Sequence, residues 1–529
     1  MTPTFDYIVV GSGPAGCVVA HRLSEHRSTR VLLVEAGVRE SSRLRRLLAR
    51  FSAWVGAQRR WDEHETVPQA GLNDRQVAVL QARTLGGASA INAMTYVRGQ
   101  PADYDHWERL GNSGWGWDAV LRAFKRLENN AAITDAFHGT DGALSVSDQV
   151  RPHPLTRVFI EAGREVGLPV NGDFNGATQE GIGPYQVTQR RGRRCSAADA
   201  FLRPALGRPN LTVLTDASVT RVVTVRRRAT GIEFLTAGGV RQAHAAREVV
   251  VCGGAISSPK LLLTSGIGPA DDLRRLGIPV VQDLPGVGGN LHDHLNVPIL
   301  TRCSRPITYD HWARPLRLVR HGLEFLLFGS GLVVSNICEG GAFLRSDPLS
   351  PGPDTQLHFL PLLWIDQGRT RSEEFGMTIE AAYLQPASRG TVTLASADPL
   401  APPRVDPRYC TEAKDVDLLI AAVRRCREIM QAPAFRSFVA GEILPGADLR
   451  SDGELANYVR DRGVPGHHLV GTCKMGTDAS AVVDPDLRVR GLEALRVVDA
   501  SIMPRITSGS TQAPAMMIGE MGAERIARE

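Results

Sequence analysis

The chain has 529 residues, of which 43% are hydrophobic and 22% charged, an ordinary composition for a globular protein long enough to form two domains. Its 61 Lys and Arg residues against 56 Asp and Glu residues leave a net charge of +5. So mild a balance, dispersed along the chain, does not predict nucleic acid as a partner.

The first predicted elements are a strand, a tight turn, a helix and a second strand between Phe5 and Glu35. An apolar run at 7–10 precedes the turn, apolar residues at helical spacing follow it, and a second apolar run at 31–34 ends on Glu35. This order predicts a βαβ unit about thirty residues long. The residues of the turn are Gly11, Ser12, Gly13, Pro14, Ala15 and Gly16.

The turn has the spacing that holds the pyrophosphate of a dinucleotide. Gly11 permits the sharp turn, Gly13 lets the backbone approach the pyrophosphate, and Gly16 allows the helix to pack closely on the strand. Free N–H groups at the start of the helix then face the phosphates. Glu35 lies where a carboxylate can accept hydrogen bonds from an adenosine ribose. The turn therefore predicts a bound dinucleotide, although it does not separate FAD from NAD.

The next two segments are predicted to lie over the cofactor. The stretch from Arg39 to Arg60 is basic and amphipathic, which predicts a helix and a loop. In the following segment, 82–92, Gly86, Gly87 and several small side chains precede Asn92. A backbone with such small side chains can lie flat against a bulky planar ligand. The alternative is a glycine-rich loop without a functional role.

A second strand-to-helix unit is predicted further along the chain. Strands are expected at 212–215 and 219–225, and an apolar run at 248–252 leads into a helix. Ser258 before Pro259 suits an N-cap followed by proline at the first helical position. A strand that feeds such a helix repeats the architecture of the opening unit.

Between Val297 and Val464 the sequence pattern changes to short β-like runs and a long helical segment, which predicts a second domain. Short β-like runs at 356–359, 377–384 and 390–394 predict an antiparallel sheet, with the last two runs joined as a hairpin. Apolar residues at helical spacing over 415–430 predict a long helix in the same domain.

The last segment returns to the pattern of the first. A short predicted strand at 495–498 ends on Asp499, and residues 514–528 have the pattern of a helix. The chain is therefore expected to complete its first sheet with its own C-terminus.

No disulfide, metal site or membrane-spanning segment is predicted. The eight cysteines are scattered without the CxxC or CxxH spacing of a disulfide framework or a zinc site. The chain opens into its first strand without the pattern of a signal peptide. The most apolar later stretch, 323–334, is too short to span a bilayer and is interpreted as a buried helix and turn. We therefore expect a cytoplasmic protein.

Four motifs occur in the order that is typical of one enzyme family. They are GSGPAG with Glu35-Ala36-Gly37, TLGGASAIN at 84–92, GAISSPKLLLTSGIG at 254–268, and GHHLVGTCKMG together with LRVVDASIMPRITSGSTQAPAMMIGE near the C-terminus. With these motifs the chain resembles the glucose-methanol-choline family of FAD-dependent alcohol oxidoreductases, most closely its choline dehydrogenase-like bacterial branch.

The resemblance implies an α/β protein with a Rossmann-like FAD-binding domain and a second, mostly antiparallel α+β substrate domain. The FAD-binding domain is expected to be discontinuous and to comprise residues 1–145, 205–296 and 465–529. The substrate-binding domain is expected to comprise residues 146–204 and 297–464.

The resemblance also implies which residues hold FAD. In some family members a histidine just before the asparagine of the second motif is bonded covalently to FAD, and because Ile91 stands at that place here we expect a non-covalent cofactor. The residues that match the FAD-binding positions of the family are Gly11, Ser12, Gly13, Pro14, Ala15, Gly16, Glu35, Ala36, Gly86, Gly87, Ser89, Asn92, Ala93, Val219, Asp499, Ala500 and Thr511.

The catalytic residues that the resemblance implies depart from the usual family pattern. The family's Tyr-His-Pro turn is His467-His468-Leu469 here, so His468 matches the catalytic histidine, with His467 as the alternative and as a tentative substrate contact. The second catalytic residue, an asparagine or histidine in the family, falls on Gln512, which is one methylene longer than asparagine. Glu339 matches an acid on the substrate side, for which a structural hydrogen-bonding role is an equal alternative.

The implied reaction is the oxidation of an alcohol to an aldehyde or ketone. His468 takes the hydroxyl proton, a hydride passes to flavin N5, and Gln512 hydrogen-bonds the substrate oxygen. The expected partners are a small-molecule alcohol and an electron acceptor, either oxygen or a quinone-like or dye-like molecule. The alternatives are a hydroxynitrile-lyase-like enzyme and a non-redox flavin-binding protein that retain FAD structurally. The alcohol, the acceptor and the oligomeric state stay open.

Overall fold

The computed structural model describes residues 3–38, 61–312, 321–325, 327, 332–346, 350–370 and 372–529. The helix and loop predicted over residues 39–60 lie outside these ranges.

Helices of the described residues range from short turns to the long helix near the C-terminus. A π-type turn, Ala198–Leu202, leads into the fifth of them. In chain order the helices are α1 (Pro14–Leu23), α2 (Pro101–Arg109), α3 (Trp117–Leu127), α4 (Pro154–Glu165), α5 (Arg203–Ala205), α6 (Gly254–Thr264), α7 (Ala270–Arg275), α8 (Tyr309–Trp312), α9 (Ala413–Gln431), α10 (Asp452–Arg462) and α11 (Gln512–Ala527).

Strands of the described residues form two large sheets and several two-stranded ribbons. In chain order they are β1 (Thr4–Val10), β2 (Val31–Val34), β3 (Trp61–Glu65), β4 (Ala78–Ala82), β5 (Glu128–Asn130), β6 (Leu144–Val146), β7 (Gly181–Pro184), β8 (Gln189–Arg190), β9 (Arg193–Arg194), β10 (Leu211–Leu214), β11 (Ser218–Val225), β12 (Arg228–Thr236), β13 (Gly239–Val251), β14 (Ile267–Gly268), β15 (Gln282–Asp283), β16 (Leu295–Cys303), β17 (Gly340–Leu344), β18 (Thr355–Leu360), β19 (Gly376–Tyr383), β20 (Thr391–Thr393), β21 (Arg404–Asp406), β22 (Val439–Leu444), β23 (Val464–Pro465) and β24 (Leu495–Val497).

The first sheet has the order β10-β2-β1-β13-β12-β11, and β24 also pairs with β13. The pairs that join β10, β2, β1, β13 and β24 are parallel, whereas β12 pairs antiparallel with β11 and β13. The short run Val31–Val34 is buried along its whole length, as expected for a parallel strand covered on both faces. The predicted βαβ unit and the strand near the C-terminus are thus present in one sheet.

The helices of the two terminal segments pack directly against each other beside this sheet. The close approach is allowed by Gly519 of α11, where a Cβ atom would lie 2.7 Å from the carbonyl oxygen of Ala15 in α1. The helices α1 and α11 contribute Val18 and Met517 to one buried cluster with the first sheet. The C-terminal helix therefore covers the unit that opens the chain.

The second sheet has the order β22-β16-β19-β18-β17-β7, with β23 paired to β16, and its pairings are antiparallel. One face carries Val297, Leu357 and Ile379, which pack against α9 in a second buried cluster. Because side chains alternate along a strand, the opposite face carries the intervening residues. The predicted α/β class with a second, mostly antiparallel sheet is confirmed, and the domain boundaries stay a prediction.

The predicted hairpin between the runs 377–384 and 390–394 is wrong. The first run is β19, which already has β16 on one side and β18 on the other. The second run contains β20, which pairs instead with β21, so that Thr391 lies opposite Asp406. A strand with neighbours at both edges has no free backbone groups left for the following segment.

The predicted helix start at Ser258 is also wrong. Helix α6 begins at Gly254 with Gly253 as its N-cap, and Pro259 lies inside it. Proline cannot donate to the carbonyl four residues earlier, which is that of Ala255. The hydroxyl of Thr472 donates to this carbonyl at 2.7 Å. A residue from a distant segment thus compensates for the missing hydrogen bond.

Within the stretch 323–334, predicted as a buried helix and turn, the described residues 323–325 and 327 are helical and Leu332–Val334 form a 3-10 turn, but the helix is not buried throughout. Leu323 is 54% exposed and Leu327 is 73% exposed, while Phe325 is buried. Among the described residues, no helix has the length and apolar character needed to cross a membrane.

A buried ion pair gives a test of the packing around the first sheet. Arg98 donates to Glu128, and both side chains are 0% exposed. We expect Arg98→Met to lower the free energy of unfolding by about 3 to 5 kcal/mol, because Glu128 loses one of its two buried positive partners, the other being His138 at 3.1 Å. The measurement is the urea midpoint by circular dichroism. The control, Arg164→Met, breaks an exposed pair with Glu161 and should leave the midpoint unchanged. Equal midpoints for the two variants would contradict the expectation.

Candidate active site

The turn between β1 and α1 is tightly built from glycines. Gly11 has a φ of +100°, which favours glycine. A Cβ atom at Gly16 would lie 2.0 Å from the carbonyl oxygen of Gly11, and one at Gly87 would lie 2.6 Å from the Cα atom of Gly13. The backbone N–H of Gly86 donates to the Ser12 carbonyl at 2.9 Å. The structure therefore brings the two predicted glycine-rich loops together.

The space in front of this turn fits a phosphate group. Helix α1 begins at Pro14, and its N-cap, Gly13, provides no side-chain cap for the first N–H groups. A Cβ atom at Gly13 would have the Cys252 carbonyl oxygen at 3.8 Å as its contact, and one at Gly254 would meet nothing within 4 Å. Uncapped N–H groups that face open space at the start of a helix bind phosphate readily. The residues present thus fit the pyrophosphate of a dinucleotide.

Glu35 lies beside this turn at the end of β2. Its Oε2 accepts hydrogen bonds from the backbone N–H of Ser12 at 2.9 Å and from the hydroxyl of the same residue at 2.7 Å. Its carbonyl oxygen accepts from the N–H of Ala217 at 3.1 Å, which brings the start of β11, with Val219, to the same end of the sheet. Ala36 follows and accepts from Arg83 at 3.4 Å. Glu35, Ala36 and the start of β11, with Val219, therefore lie at the same end of the sheet.

The loop that follows the second glycine pair is held by its own small polar side chain. The hydroxyl of Ser89 donates to the Gly86 carbonyl at 2.6 Å and accepts from the N–H of Ala197 at 2.9 Å. The Ala93 carbonyl accepts from Asn336 at 3.0 Å. Ser89 thus stabilises the loop itself, and Ala93 connects it to the second half of the chain.

A chain of polar groups fixes the orientation of the Gln512 side-chain amide. Arg194 donates to Oδ1 of Asn92 at 2.8 Å and to the Asn92 carbonyl at 2.7 Å. With its oxygen engaged by this cation, Asn92 donates from Nδ2 to Oε1 of Gln512. Nε2 of Gln512 is consequently the end that remains for another acceptor, and it has no hydrogen-bond partner among the described residues. Gln512, at the start of α11, thus presents N–H donors.

Asp499 connects the end of β24 to the start of α6. Its Oδ2 accepts from the Gly254 N–H at 2.8 Å and from the Ser258 hydroxyl at 2.5 Å, and its Oδ1 accepts from the Ser501 N–H at 2.8 Å. Burial raises the pKa of this carboxyl. The Ala500 carbonyl accepts from the Gly471 N–H at 3.3 Å, three residues after His468. Asp499 and Ala500, the predicted C-terminal FAD-binding pair, thus adjoin the segment that carries the predicted base.

The two adjacent histidines point to different surroundings. The N–H of Leu80 lies 3.4 Å from Nδ1 of His467, and the Gln367 amide lies 3.2 Å from its Nε2. His468 instead places its Nδ1 2.9 Å from Nδ1 of His294. Both ring nitrogens of His467 are therefore engaged by protein groups, whereas Nε2 of His468 has no partner among the described residues.

Asp293 anchors the backbone of the histidine turn. Its Oδ1 accepts from the N–H of His468 at 2.5 Å, and its Oδ2 accepts from the hydroxyl of Tyr409 at 2.6 Å. Burial raises the pKa of Asp293 to about 7. The anchor matters because His467 has a φ of +60°, a conformation that a non-glycine residue adopts only when its surroundings hold it.

The hydrogen bonds of His294 fix the tautomer of His468. Nε2 of His294 lies 3.1 Å from the Leu384 carbonyl, which can only accept, so this nitrogen carries the hydrogen. Burial lowers the pKa of His294 well below its usual range, so the ring is neutral and its Nδ1 is an acceptor. Nδ1 of His468 must then be the donor. The lone pair of neutral His468 is left on Nε2, the nitrogen without a described partner.

Burial keeps the histidines of this region neutral at pH 7. It lowers the pKa of His468 to about 4 and that of His467 to about 4. A neutral imidazole whose lone pair is not engaged by a described protein group can take a proton from a ligand. The site thus offers one proton acceptor, on His468, and one fixed donor, on Gln512; no described hydrogen bond joins these two residues directly.

Glu339 is placed differently from the other predicted site residues. Its side chain is 0% exposed and accepts from the hydroxyls of Tyr309 at 2.5 Å, Ser335 at 2.5 Å and Thr156 at 3.0 Å, and from the His153 N–H at 2.5 Å. These donors all come from the protein. They favour the structural hydrogen-bonding alternative over contact with a substrate.

Sequence reasoning missed Asp293 and His294. Both lie in the run Asn290 to Asn296, which contains three polar ring or carboxylate side chains directly before β16. That density of histidine and aspartate was the available signal. It did not identify the partners of these residues, because His468 lies 174 residues from His294.

Two family models, both described as GMC oxidoreductase, match residues 5–296 and 386–519 of the chain. The chain belongs to the GMC oxidoreductase family. It is 42% identical over 531 residues to an alcohol dehydrogenase (acceptor) of Pseudomonas putida, with 99% of this chain and 96% of that protein covered. It is also 42% identical over 532 residues to the mitochondrial choline dehydrogenase of Homo sapiens, with 99% and 89% covered.

The solved structures similar to this GMC oxidoreductase include an FAD-dependent oxidoreductase from Chaetomium thermophilum. The two chains have a TM-score of 0.90 and 27% sequence identity, and 99% of each is covered. The predicted family is confirmed, and both the family and this neighbour support FAD as the cofactor. The uncapped α1 N-terminus, Glu35 and Asp499 are the groups that would hold it.

The contact between the two glycine-rich loops gives a test of the cofactor site. We expect Gly87→Ala to lower the FAD content of the purified protein severalfold, since the new Cβ atom would meet Gly13 at 2.6 Å and the φ of +54° strains alanine. The measurement is the ratio of flavin to protein absorbance. Gly172→Ala is the matched control, because a Cβ atom there meets nothing within 4 Å. Full flavin content in Gly87→Ala would contradict the placement of the cofactor.

Proposed function

We propose that this GMC oxidoreductase oxidises an alcohol to an aldehyde or ketone, with His468 as the base and Gln512 as the hydrogen-bond donor to the alcohol oxygen. The observation that carries the proposal is the pair of fixed orientations: a lone pair on Nε2 of His468 and N–H groups on Nε2 of Gln512. FAD, when bound, supplies the acceptor for the hydride that leaves the alcohol carbon.

His468 removes the hydroxyl proton in this proposal. The hydrogen bond from its Nδ1 to His294 fixes the ring, and Asp293 holds its backbone, so Nε2 is positioned before the substrate arrives. When Nε2 takes the proton, the resulting imidazolium keeps His294 as an acceptor at Nδ1. A positioned base of this kind contributes typically about a hundredfold or more to the rate.

Gln512 stabilises the alcohol oxygen as it loses its proton. Its amide donor is oriented through Asn92 by Arg194, whose buried positive charge draws electron density along the chain of amides. A donor fixed in advance toward developing negative charge favours the transition state over the ground state. The amide therefore replaces the asparagine or histidine that the family pattern predicts at this position.

The relatives support the substrate class. Their names state that one acts as an alcohol dehydrogenase and the other as a choline dehydrogenase, and we propose a small alcohol as the substrate here, with oxygen or a quinone-like acceptor for the electrons. Neither relative favours the lyase or the non-redox alternative. The two domains with the boundaries given above, and the location in the cytoplasm, stay predictions from the sequence.

The base assignment is tested by replacing each of the two adjacent histidines. We expect His468→Ala to retain FAD but to slow anaerobic flavin reduction by alcohols at least about a hundredfold. His467→Ala is the matched control and should reduce its flavin within a few-fold of the parent rate, because its ring is engaged by Leu80 and Gln367. Stopped-flow absorbance measures both rates. A reversed order would assign the base to His467.

The rate of anaerobic flavin reduction by alcohol should depend on pH in a definite direction. The pKa of His468 is lowered to about 4 by burial, so the neutral form that takes the proton predominates near pH 7. At saturating alcohol the rate of flavin reduction should be constant around neutrality and fall as the pH drops through about 4, where the base becomes protonated. A rate that rises on acidification contradicts the assignment.

We propose that FAD is bound without a covalent bond, because Ile91 offers no nucleophilic atom beside the loop. Acid precipitation of the purified protein should therefore leave the flavin in the supernatant. Absorbance of the separated fractions near the flavin maximum is the measurement. A yellow pellet that resists washing would show a covalent link instead.

A further inference from the structure

The face of the second sheet opposite α9 carries polar side chains next to the proposed base. His358 on β18 lies directly opposite Glu380 on β19, and Glu380 lies opposite Pro298 on β16. Asn296, two residues before Pro298, donates from Nδ2 to Oε2 of Glu380 at 3.3 Å. Directly opposed side chains on one face are about 5 Å apart. Asn296, His358 and Glu380 thus form one polar floor.

This floor adjoins His468. Asn296 lies two residues after His294, whose ring contacts His468, and same-face positions on a strand are roughly 7 Å apart. Strand β23 pairs with β16 and places Val464 opposite Asn296. A Cβ atom at Gly466 would lie 3.3 Å from Oδ1 of Asn296, so the histidine turn passes directly over the polar floor. Glu380 is therefore within the length of a small molecule from the base.

Glu380 is a buried carboxylate that accepts few hydrogen bonds from the described residues of the protein. It is 9% exposed, and the amide of Asn296 at 3.3 Å is its hydrogen-bond partner among the described residues. Its second oxygen, Oε1, has no described partner. Burial raises the pKa of this carboxyl to about 7. An incompletely paired carboxylate in such a place is costly unless a ligand supplies a donor.

The neighbours of Glu380 do not provide that donor. Nδ1 of His358 lies 3.2 Å from the thiol of Cys338, and burial lowers the pKa of this histidine to about 3, so its ring is neutral. Burial also raises the pKa of the Cys338 thiol well above its usual range. Leu360, two residues beyond His358, belongs to an apolar cluster that continues the wall. The surroundings of Glu380 are thus neutral or apolar.

We propose that Glu380 determines substrate specificity by accepting a hydrogen bond, through Oε1, from a second donor group on the alcohol, either a hydroxyl or a protonated amine. This assignment rests on the proposed function, because it places the reacting hydroxyl at His468 and the second group at Glu380. A substrate without the second donor leaves Oε1 of Glu380 without a partner, so that the buried side chain must stay unpaired or take up a proton. Loss of a hydrogen bond to a charged group corresponds to a roughly ten- to hundredfold lower efficiency.

A matched series of three alcohols tests the assignment. Butan-1-ol, propane-1,3-diol and 3-aminopropan-1-ol have the same chain length and differ only in the terminal methyl, hydroxyl or ammonium group. The measurement is the rate of anaerobic flavin reduction divided by the apparent Kd for each alcohol, on the FAD-loaded enzyme. We expect the parent to favour the diol or the amino alcohol over butan-1-ol by at least about tenfold.

Two variants of Glu380 separate the contributions of charge and hydrogen bonding. Glu380→Leu should abolish the preference and raise the efficiency with butan-1-ol. Glu380→Gln keeps an acceptor oxygen but removes the charge. If Glu380 recognises a hydroxyl group, this variant should keep the efficiency of the parent with the diol. If Glu380 recognises an ammonium group, the variant should lose its efficiency with the amino alcohol. Glu374→Gln, at an exposed position that pairs with Arg302, is the control and should behave as the parent.

Equal efficiency of the three alcohols with the parent, or an unchanged preference in Glu380→Leu, overturns the role of Glu380 while leaving the proposed oxidation intact. Flavin content and the thermal midpoint of each variant show whether a changed rate arises from misfolding. If none of the three alcohols nor any other alcohol reduces the flavin of the parent, the proposed function fails and the assignment of Glu380 fails with it.

Discussion

The pairing of β13 with β1 on one side and β24 on the other is the constraint on which the cofactor site depends. The N–H of Cys252 donates to the Val10 carbonyl at 2.7 Å, and the N–H of Val498 donates to the Val251 carbonyl at 2.8 Å. Three parallel strands from distant parts of the chain thereby end at the same edge of the sheet. Ligands bind at this edge in open α/β sheets, and here Gly11 and Asp499 meet there.

The chemistry of the site depends on orientation more than on charge. The Leu384 carbonyl determines which nitrogen of His294 carries the hydrogen, and His294 in turn determines where His468 has its lone pair. On the other side, the buried Arg194 binds the amide oxygen of Asn92, so that Asn92 donates to the amide oxygen of Gln512 and the Nε2 group of Gln512 is left as a donor. Burial holds the histidines neutral, so the proton acceptor is ready at neutral pH. The orientation of each reacting side chain is thus determined by a neighbouring residue that does not itself contact the substrate in the proposed reaction.

Helices and strands could be predicted from the sequence where the contacts that stabilise them are local. The unit from β1 to Glu35 is predictable because its turn, helix and second strand depend on residues a few positions apart. The start of α6 was not, because the hydrogen bond that Pro259 cannot make to the Ala255 carbonyl is replaced by one from Thr472, which lies 217 residues from Ala255. The hairpin failed for a related reason, since a run with β character does not reveal that both edges of β19 are already paired.

The same distinction applies to the site. The family motifs make His468 and Gln512 candidates and also contain Asn92. Asp293, His294 and Arg194, which complete the orienting contacts, were not identified from the sequence. Asp293 has no motif that points to the backbone of a residue 175 positions later. Glu380 lies in a run of otherwise small and apolar side chains, and only the register of three strands places it beside Asn296 and His358. Glu339 is the opposite case. The family resemblance places it on the substrate side, but its carboxylate accepts hydrogen bonds from protein groups.

The discontinuity of the cofactor site also sets an order of events during biosynthesis. The glycine turn is synthesised before Asp499 and helix α11, which belong to the other half of the predicted site. At a synthesis rate of about 5 to 20 residues per second, the two halves are separated by roughly 25 to 100 seconds. During that interval the nascent protein has the glycine turn without Asp499 and helix α11. Contacts to a cofactor from both halves can therefore form only after the later segment has been synthesised.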